Sequence, residues 1–488
     1  MKTVIIIGSG IGGLASAIRF KSKGYKVIVL EKNNYVGGKL TELKLNEFRF
    51  DAGPSLFTMP ELMTELFELT SKRAEDYFEY EQLETICKYF FEDGTVISAN
   101  KDVTKFASEI ENKTLDNKED VLKHLKKSEF IYNTTAKLFL TKSLHKLNSY
   151  FSLSTFWSFL KLPLISPFKT MNTANSARFK DSKTQRIFNR YATYNGSNPY
   201  KAPAILNIIP HLEYNMGAYF PKGGMISITK ALHQLAIDIG VEFKLNCNVE
   251  DINVDSKKIT GVTFNNSTIK ADIVVSNADI KTVYDHLLPT QNRLKKVLKQ
   301  ERSSSALIFY WGINKEFPNL ELHNILFSEN YKDEFESIFH KLTIHKDPTV
   351  YINIASKHNK SDAPQNSEGW FVMINVPCNY SQNWDQLIAT ARKNIITKLN
   401  RILQVNMESL IIEEDLLTPQ LIETKTSSYR GSLYGTASNN RFAAFFRHPN
   451  FSNTYKGLYF CGGSVHPGGG IPLALSSAKI IDKYIKHA

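Results

Sequence analysis

Gly8, Gly10 and Gly13 stand in G-x-G-x-x-G spacing, with four apolar β-formers (Val4 to Ile7) before them and an apolar-periodic stretch (Leu14, Ala15, Ala17, Ile18) after them. The spacing has a physical logic. The first glycine permits a tight turn, the second lets backbone approach a phosphate, and the third lets helix and strand pack closely. The helix that follows would offer free N–H groups and a positive dipole end to a pyrophosphate. Glu31 comes 18 residues after Gly13, where a carboxylate can accept from a ribose hydroxyl. A second glycine-to-helix junction lies near the C-terminus, where Gly462-Gly463 and Gly468-Gly469-Gly470 precede an apolar helix with Pro472 in its first turn. Together these residues describe a dinucleotide site closed from both ends of the chain. The cysteines, Cys87, Cys247, Cys378 and Cys461, are scattered without metal-ligand spacing, so no metal is expected and all four read as reduced thiols.

The elements that must position these residues follow from hydrophobic period. Val4–Ile7 and Val27–Leu30 read as buried parallel strands around a helix ended by Gly24, and ADIVVSNAD (271–279) reads as a strand returning to the same sheet. Its end, Ser276-Asn277-Ala278, would lie beside the dinucleotide site, because ligands of open α/β sheets sit at the carboxyl ends of strands. Leu40, Leu43 and Leu45 look like strand, and Asp93-Gly94 reads as a hairpin turn. A helix is expected from about Ser227 to Ile239 and a strand from Val241 to Asn246. Residues 303–420 carry the strand patterns SALIFYWGI, TVYINIA and WFVMINVP, read as a second, largely antiparallel sheet, with a helix from about Trp384 to Leu403.

The chain has 488 residues, long enough for two or more domains. We expect an α/β (α+β overall) architecture. A Rossmann-like domain would be discontinuous (1–80, 220–290 and 415–488). A mixed or antiparallel-sheet substrate domain would use 81–120, 190–219 and 291–414, and a helical region would span 121–189. Formal net charge is +12. Residues 121–187 hold twelve Lys and Arg against Glu129 and Asp181, so +10 sits there, beside large apolar groups at helical spacing from Phe130 to Leu160. A basic face beside an aromatic-aliphatic face suits an anionic membrane surface, and equally a soluble helical subdomain. No nucleic-acid motif accompanies the charge. The N-terminal apolar run is too short for a signal peptide, and no stretch reaches the length of a membrane span. A cytoplasmic protein, peripheral on the inner face of the membrane, is expected.

The pieces GSGIGGL, FDAGPS, RYATYNGSNPYKAPA, FPKGGM, VVSNAD, LHNILF, FRHP and CGGSVHPGGGIP run the length of the chain. They resemble bacterial carotenoid desaturases of the phytoene-desaturase type, within the FAD-dependent amine oxidase superfamily. The resemblance implies FAD, with Gly8, Gly10, Ile11, Gly12 and Gly13 at the pyrophosphate and Glu31 at the adenosine ribose. It places Lys32, Gly38 and Lys39 along the cofactor, Gly53, Pro54, Ser55 and Leu56 at the isoalloxazine, and Val249 at the adenine. Gly463, Gly470, Ile471 and Pro472 would line the flavin from the C-terminal side. The basic region corresponds to the family's variable helical segment, thought to meet the membrane.

The implied reaction moves a hydride to flavin N5 and a proton to a base or water, lengthening the polyene of an acyclic carotenoid. An apolar tunnel would hold the substrate, and oxygen or a quinone would take the electrons. His211, Glu213, His323 and Arg447 lie in family-like stretches and are the candidates for acid–base work. A structural histidine is the plainer reading of His323, and an ion-pair or loop anchor that of Arg447. The substrate is phytoene-like or a 1-hydroxylated acyclic carotenoid desaturated at the 3,4 bond, and the tail wording stands nearer the second. A carotenoid isomerase or saturase on the same scaffold, and a non-catalytic isoprenoid-binding protein, stay open.

Overall fold

The computed structural model describes residues 1–146, 168–288, 299–440 and 442–488. A five-stranded sheet carries the first glycine turn. Its order is Leu458–Phe460, Ile273–Ser276, β1 (Thr3–Ile7), β2 (Lys26–Leu30) and Glu242–Lys244, and every pairing is parallel. Val4, Ile5 and Ile6 are buried on both faces, as a covered parallel strand requires. Helix α1 (Ile11–Ser22) covers one face together with the C-terminal helix Ile471–Asp482. The other face meets a three-stranded antiparallel sheet, Val249–Asp255, Lys258–Phe264 and Ser267–Lys270, through Ile5, Ile7, Ile252 and Val262.

A seven-stranded mixed sheet stands opposite, in the order Ile411–Leu417, Ser305–Ile313, Glu368–Val376, Val350–Asn353, His323–Leu326, Thr85–Phe90 and Val96–Asn100. All its pairings are antiparallel except that of His323–Leu326 with Thr85–Phe90. Residues 85–100 form the hairpin expected around Asp93-Gly94. The strand Ser305–Ile313 is buried at all nine positions. Leu307, Phe309 and Trp311 pack with Ile395 and Leu399 of the helix Trp384–Leu403, which has the expected bounds. Ala306, Ile308 and Tyr310 face Phe48 and Phe50 of β4 (Phe48–Asp51), which pairs with β3 (Glu42–Leu45). A strand covered on both faces has no polar alternate positions to display.

Helices Lys118–Thr141, Met171–Ser176 and Ser182–Asn189 make up the described part of the basic region. The apolar series from Leu147 to Leu160 lies outside the described residues. Among the described residues no helix is long and apolar enough to cross a membrane.

Candidate functional site

The glycine turn between β1 and α1 is built around Gly8, whose φ of 89° suits a residue without Cβ and whose N–H donates to Leu30 O at 2.8 Å. A Cβ on Gly13 would come within 2.1 Å of Gly8 O, so close packing of helix on strand sets that residue. Gly13 itself does not line the cleft. Gly10, Ile11 and Gly12 do line it. Helix α1 opens without a side-chain cap and without an acid in its first turn, and residues 11–13 are buried. A buried, uncapped helix start needs acceptors from elsewhere, and phosphate oxygens meet that need.

Glu31, at the end of β2, is buried. Its Oε2 accepts from Ser9 N and Ser9 Oγ, both at 2.8 Å, and its Oε1 from Asn33 N at 2.9 Å and Asn33 Nδ2 at 3.0 Å. The carboxylate therefore ties the glycine turn to the end of β2 while it lines the cleft. Gly37 donates its N–H to Ser9 O at 3.0 Å and sets Gly38 against Gly10. Gly53 lies so close to Lys39 O that a Cβ would meet it at 1.8 Å. Lys39 Nζ donates to Leu433 O at 2.6 Å and Ser432 O at 3.1 Å; burial, opposed by Asp279 and reinforced by Arg302, lowers its ammonium to about 8.

The C-terminal junction meets this turn at Asn277. A Cβ on Gly10 would strike Asn277 Nδ2 at 2.5 Å, and Cβ atoms on Gly12 and Gly462 would strike its Oδ1 at 2.7 and 2.5 Å. One side chain, just past the strand Ile273–Ser276, thus wedges between the two glycine loops. The sequence placed Asn277 beside the site, but its role as the wedge depends on a contact between chain ends. Gly470, at φ 109°, opens the helix Ile471–Asp482, again with no side-chain cap. Two uncapped helix starts and two Cβ-free loops thus line one cleft, the donor set a dinucleotide requires.

The cleft continues into a single cavity of about 1220 Å³. Roughly 300–1,000 Å³ holds one drug-sized ligand, so there is room for a cofactor and part of a second molecule. Lys32, Gly38, Lys39, Gly53, Pro54, Ser55, Leu56, Val249, Gly463, Gly470, Ile471 and Pro472 line the cavity with Gly8 and Glu31. Beyond Ser55 the wall is supplied by the seven-stranded sheet, including Ile308, Tyr310, Phe371 and Met373.

Two polar clusters of this cavity contain candidate residues. At one, Glu213 accepts from Arg190 Nη2 at 3.0 Å, from Tyr191 OH at 2.6 Å and from Tyr194 OH, and Arg190 also donates to Tyr89 OH at 2.7 Å. Burial would lower the Arg190 guanidinium, but Tyr191, Tyr194, Tyr89 and Glu213 outweigh it and hold it firmly protonated. Arg190 and Tyr194 lie in the RYATYNG stretch, where nothing local marks them as partners of Glu213. At the other, Ser55 Oγ and Tyr351 OH lie 2.7 Å apart, Tyr351 OH lies 2.7 Å from His323 Nδ1, and Asn353 Nδ2 lies 3.2 Å from the same nitrogen. Burial, aided by His358 and Arg190, lowers the His323 imidazole to about 3, so it is neutral. Asn353 Nδ2, which also donates to Leu322 O at 3.2 Å, can only donate, so Nδ1 accepts and the proton sits on Nε2, which is buried without a partner. Tyr351 then donates to His323 and Ser55 to Tyr351, which leaves the Ser55 oxygen as an acceptor at the cavity wall.

The other two candidates lie elsewhere. His211 does not line the cavity; its Nδ1 pairs with Asn215 Nδ2 at 2.8 Å and its ring packs on Tyr132. Arg447 is also outside it. Its guanidinium donates to Thr436 O at 3.0 Å and to Tyr434 O and Gly463 O at 3.4 Å, and no ion pair forms among the described residues. Burial, then Arg302, lowers it to about 10. It anchors the loop at 434–438 to the C-terminal glycines, so the loop-anchor reading holds and the ion-pair reading does not.

The family profile described as "Flavin containing amine oxidoreductase" matches residues 11–313. The chain is 54% identical over 481 residues to a 1-hydroxycarotenoid 3,4-desaturase of Flavobacterium sp. (strain P99-3), covering 98% of each. It is 32% identical to a 4,4'-diaponeurosporene oxygenase of Staphylococcus haemolyticus, over 99% of this chain and 97% of that one. It is 31% identical to a phytoene desaturase of Phycomyces blakesleeanus, over 98% and 84%. Among solved structures, a putrescine oxidase bound to putrescine matches with a TM-score of 0.64 at 13% identity over 99% of this chain and 98% of that one. An oxidoreductase from Methanosarcina mazei matches at 0.64 and 13% over 99% and 100%. These two likenesses concern the fold alone.

Proposed function

Since this chain belongs to the flavin-containing amine oxidoreductase family, we propose that it is an FAD-dependent carotenoid desaturase acting on a 1-hydroxylated acyclic carotenoid at its 3,4 bond. The identity to the Flavobacterium 3,4-desaturase, 54% over nearly the whole of both chains, carries this reading. The cavity supports the substrate choice. A hydroxyl on C1 is only three bonds from C3, so whatever receives it must stand beside the flavin-facing turn. Ser55 belongs to that turn, and its oxygen is turned into an acceptor by Tyr351 and His323.

Bound FAD supplies a two-electron sink that takes a hydride at N5. The chain's own residues do the rest. The uncapped start of α1 and the glycines at 8, 10 and 12 would hold the pyrophosphate, with Glu31 near the ribose. Gly53, Pro54 and Leu56 would border the isoalloxazine with Gly463, Gly470, Ile471 and Pro472 opposite, and Lys32, Gly38, Lys39 and Val249 would complete the contacts. Ile308, Tyr310, Phe371 and Met373 exclude water and align the polyene. Ser55 accepts the substrate hydroxyl. The proton lost from carbon passes to a base or water, and burial bars His323 from taking it.

We read residues 1–80, 220–290 and 415–488 as the cofactor half. An apolar substrate and the charge of 121–189 favour a peripheral seat on an anionic membrane at the cytoplasmic face, with oxygen or a membrane quinone as electron acceptor. The test is product analysis with purified, FAD-loaded protein given either a 1-hydroxylated acyclic carotenoid or phytoene. We expect a red-shifted product lighter by two hydrogens from the first. Turnover of phytoene alone would overturn the substrate choice, and an isomer of unchanged mass would overturn desaturation.

A further inference from the structure

Glu334 stands in the wall of the large cavity with Tyr331, Phe335 and Thr349, and it is 2% exposed. It belongs to the short helix Tyr331–Glu336. Thr349 fixes its carboxyl group. Thr349 N donates to Oε1 at 2.9 Å and Thr349 Oγ1 to Oε2 at 2.6 Å. Ser328 N donates to the same hydroxyl oxygen at 3.0 Å, which leaves the hydroxyl hydrogen for Glu334. Thr349 and Tyr351 both line the cavity, and side chains two residues apart on an extended chain share a face about 7 Å apart. Glu334 is therefore one such step along the wall from the tyrosine that holds Ser55.

The charge of Glu334 is not matched as that of Glu213 is. Glu213 has the Arg190 guanidinium at 3.0 Å, whereas Glu334 has no ion pair among the described residues. Lys398 acts on it only from a distance. Its ammonium is committed to Asp347 Oδ1 at 2.8 Å and to the carbonyls of Phe327 and Pro348, both at 2.9 Å. Burial raises the Glu334 carboxyl, opposed by the two Thr349 bonds, Lys398 and His345. Hydrogen bonds accepted at both oxygens favour the ionised form. A buried carboxylate without a counter-ion costs stability. An unmatched charge facing an apolar substrate can be matched by a charge that arises only as the substrate reacts.

From this geometry we propose that the Glu334 carboxylate is a catalytic residue that stabilises positive charge spread along the polyene during hydride loss. The inference rests on the desaturase reading. The C4–H bond, next to the existing polyene, breaks with both electrons leaving as hydride to FAD. The cation left behind is shared between C4 and alternate carbons farther along the chain. Loss of a proton from C3 to water then closes the 3,4 double bond, so one hydride and one proton account for the two hydrogens removed. With the C1 hydroxyl at Ser55, the carbons one step along the wall are among those that share the charge, and Glu334 faces them there. The neutral substrate gains nothing from the carboxylate.

The FAD-loaded full chain would be compared with three variants. Glu334→Gln removes the charge and keeps the shape, and Glu334→Asp keeps the charge. Asp333→Asn removes a charge from the exposed side of the same helix, outside the cavity. The rate of one anaerobic turnover and the substrate affinity are measured with a 1-hydroxylated acyclic carotenoid. The absorption of the same carotenoid is recorded on enzyme whose FAD was reduced beforehand, where no turnover occurs. In Glu334→Gln the rate should fall roughly tenfold or more while affinity changes by less than about twofold. Glu334→Asp should recover most of the rate, and Asp333→Asn should match the native chain. The absorption of the bound carotenoid should shift in Glu334→Gln alone, since the polyene feels the charge without reacting. A carotenoid of equal length without the hydroxyl should lose as much rate. An unchanged rate, a loss explained by weaker binding, or a loss confined to the hydroxylated substrate would overturn the proposal. Chemical unfolding reports the fold, and Glu334→Leu, with the same expected result, replaces a glutamine variant that does not fold. A native chain that yields no product lighter by two hydrogens would overturn the desaturase reading itself, and this proposal with it.

Discussion

Replacing Tyr351 by Phe removes one oxygen from the cavity wall and leaves the ring. In the native chain that oxygen lies 2.7 Å from both Ser55 Oγ and His323 Nδ1. Without it, His323 Nδ1 keeps only the longer contact to Asn353, at 3.2 Å, and Ser55 loses the acceptor that fixes its proton. The Ser55 hydroxyl is then free to turn its hydrogen into the cavity, against the hydrogen of an incoming hydroxyl. A neutral hydrogen bond contributes about 0.5–1.5 kcal/mol net. The organised acceptor is made once, so kcat/KM for a 1-hydroxylated carotenoid falls by about 1–1.5 kcal/mol, or roughly 5–13-fold. An acyclic carotenoid of equal length without the hydroxyl makes no such bond, and its kcat/KM changes by less than about twofold. Ser55→Ala gives the same split. The assay is initial rate against substrate for both carotenoids with FAD-loaded enzyme. An equal fall for both substrates, or none for the hydroxylated one, would refute the hydroxyl-acceptor reasoning.

Gly12→Ala would drive a methyl to 2.7 Å from Asn277 Oδ1 and 2.9 Å from Gly462 N, parting the two glycine loops. FAD affinity falls roughly tenfold or more, read by flavin fluorescence on titration. Glu213→Gln leaves Arg190 buried without its counter-charge, and chemical unfolding should show a loss of about 3–5 kcal/mol, with unchanged stability speaking against the pair. The His323 imidazole titrates near 3 when folded and near 6.5 when unfolded, so the unfolded chain binds the extra proton in between. No stability is lost above about pH 6.5; the loss grows as pH falls toward 3 and amounts to about 2 kcal/mol by pH 5. His323→Gln should narrow the stability difference between pH 7.5 and 5.0 by that amount, measured by denaturant unfolding; an unchanged difference would show that His323 stays solvated.

Much of the cofactor cleft was legible because its constraints are local. A glycine at φ 89° after a buried strand, a helix start and Glu31 at the end of the next strand all follow from short-range geometry. What Glu31 does was only half legible: its bonds to Ser9 and Asn33 depend on how two loops close together. Asn277 was placed but not understood, since its Cβ-sized gaps come from both ends of the chain. In the cavity wall Ser55, Glu213 and His323 were named, but their partners were not, for the same reason. Glu213 and Arg190 are 23 residues apart, and Ser55 and Tyr351 are 296 apart. His211 and Arg447 lie in family-like stretches, but one packs under a helix and the other ties loops together. The packing role of Gly13 was legible for the same local reason, since a Cβ there would meet Gly8 O at 2.1 Å. The strand Ser305–Ile313 was found from its β-formers; the cover over its second face comes from Phe48 and Phe50, more than 250 positions earlier.

The most direct test of the central claim is a single anaerobic turnover of the purified, FAD-loaded chain with a 1-hydroxylated acyclic carotenoid. The flavin spectrum and the product mass would be recorded together. The account predicts that the flavin is reduced as one equivalent of product appears, lighter by two hydrogens and red-shifted. A product of unchanged mass, or one that has gained oxygen when air is admitted while the carbon–carbon bond stays saturated, would contradict it.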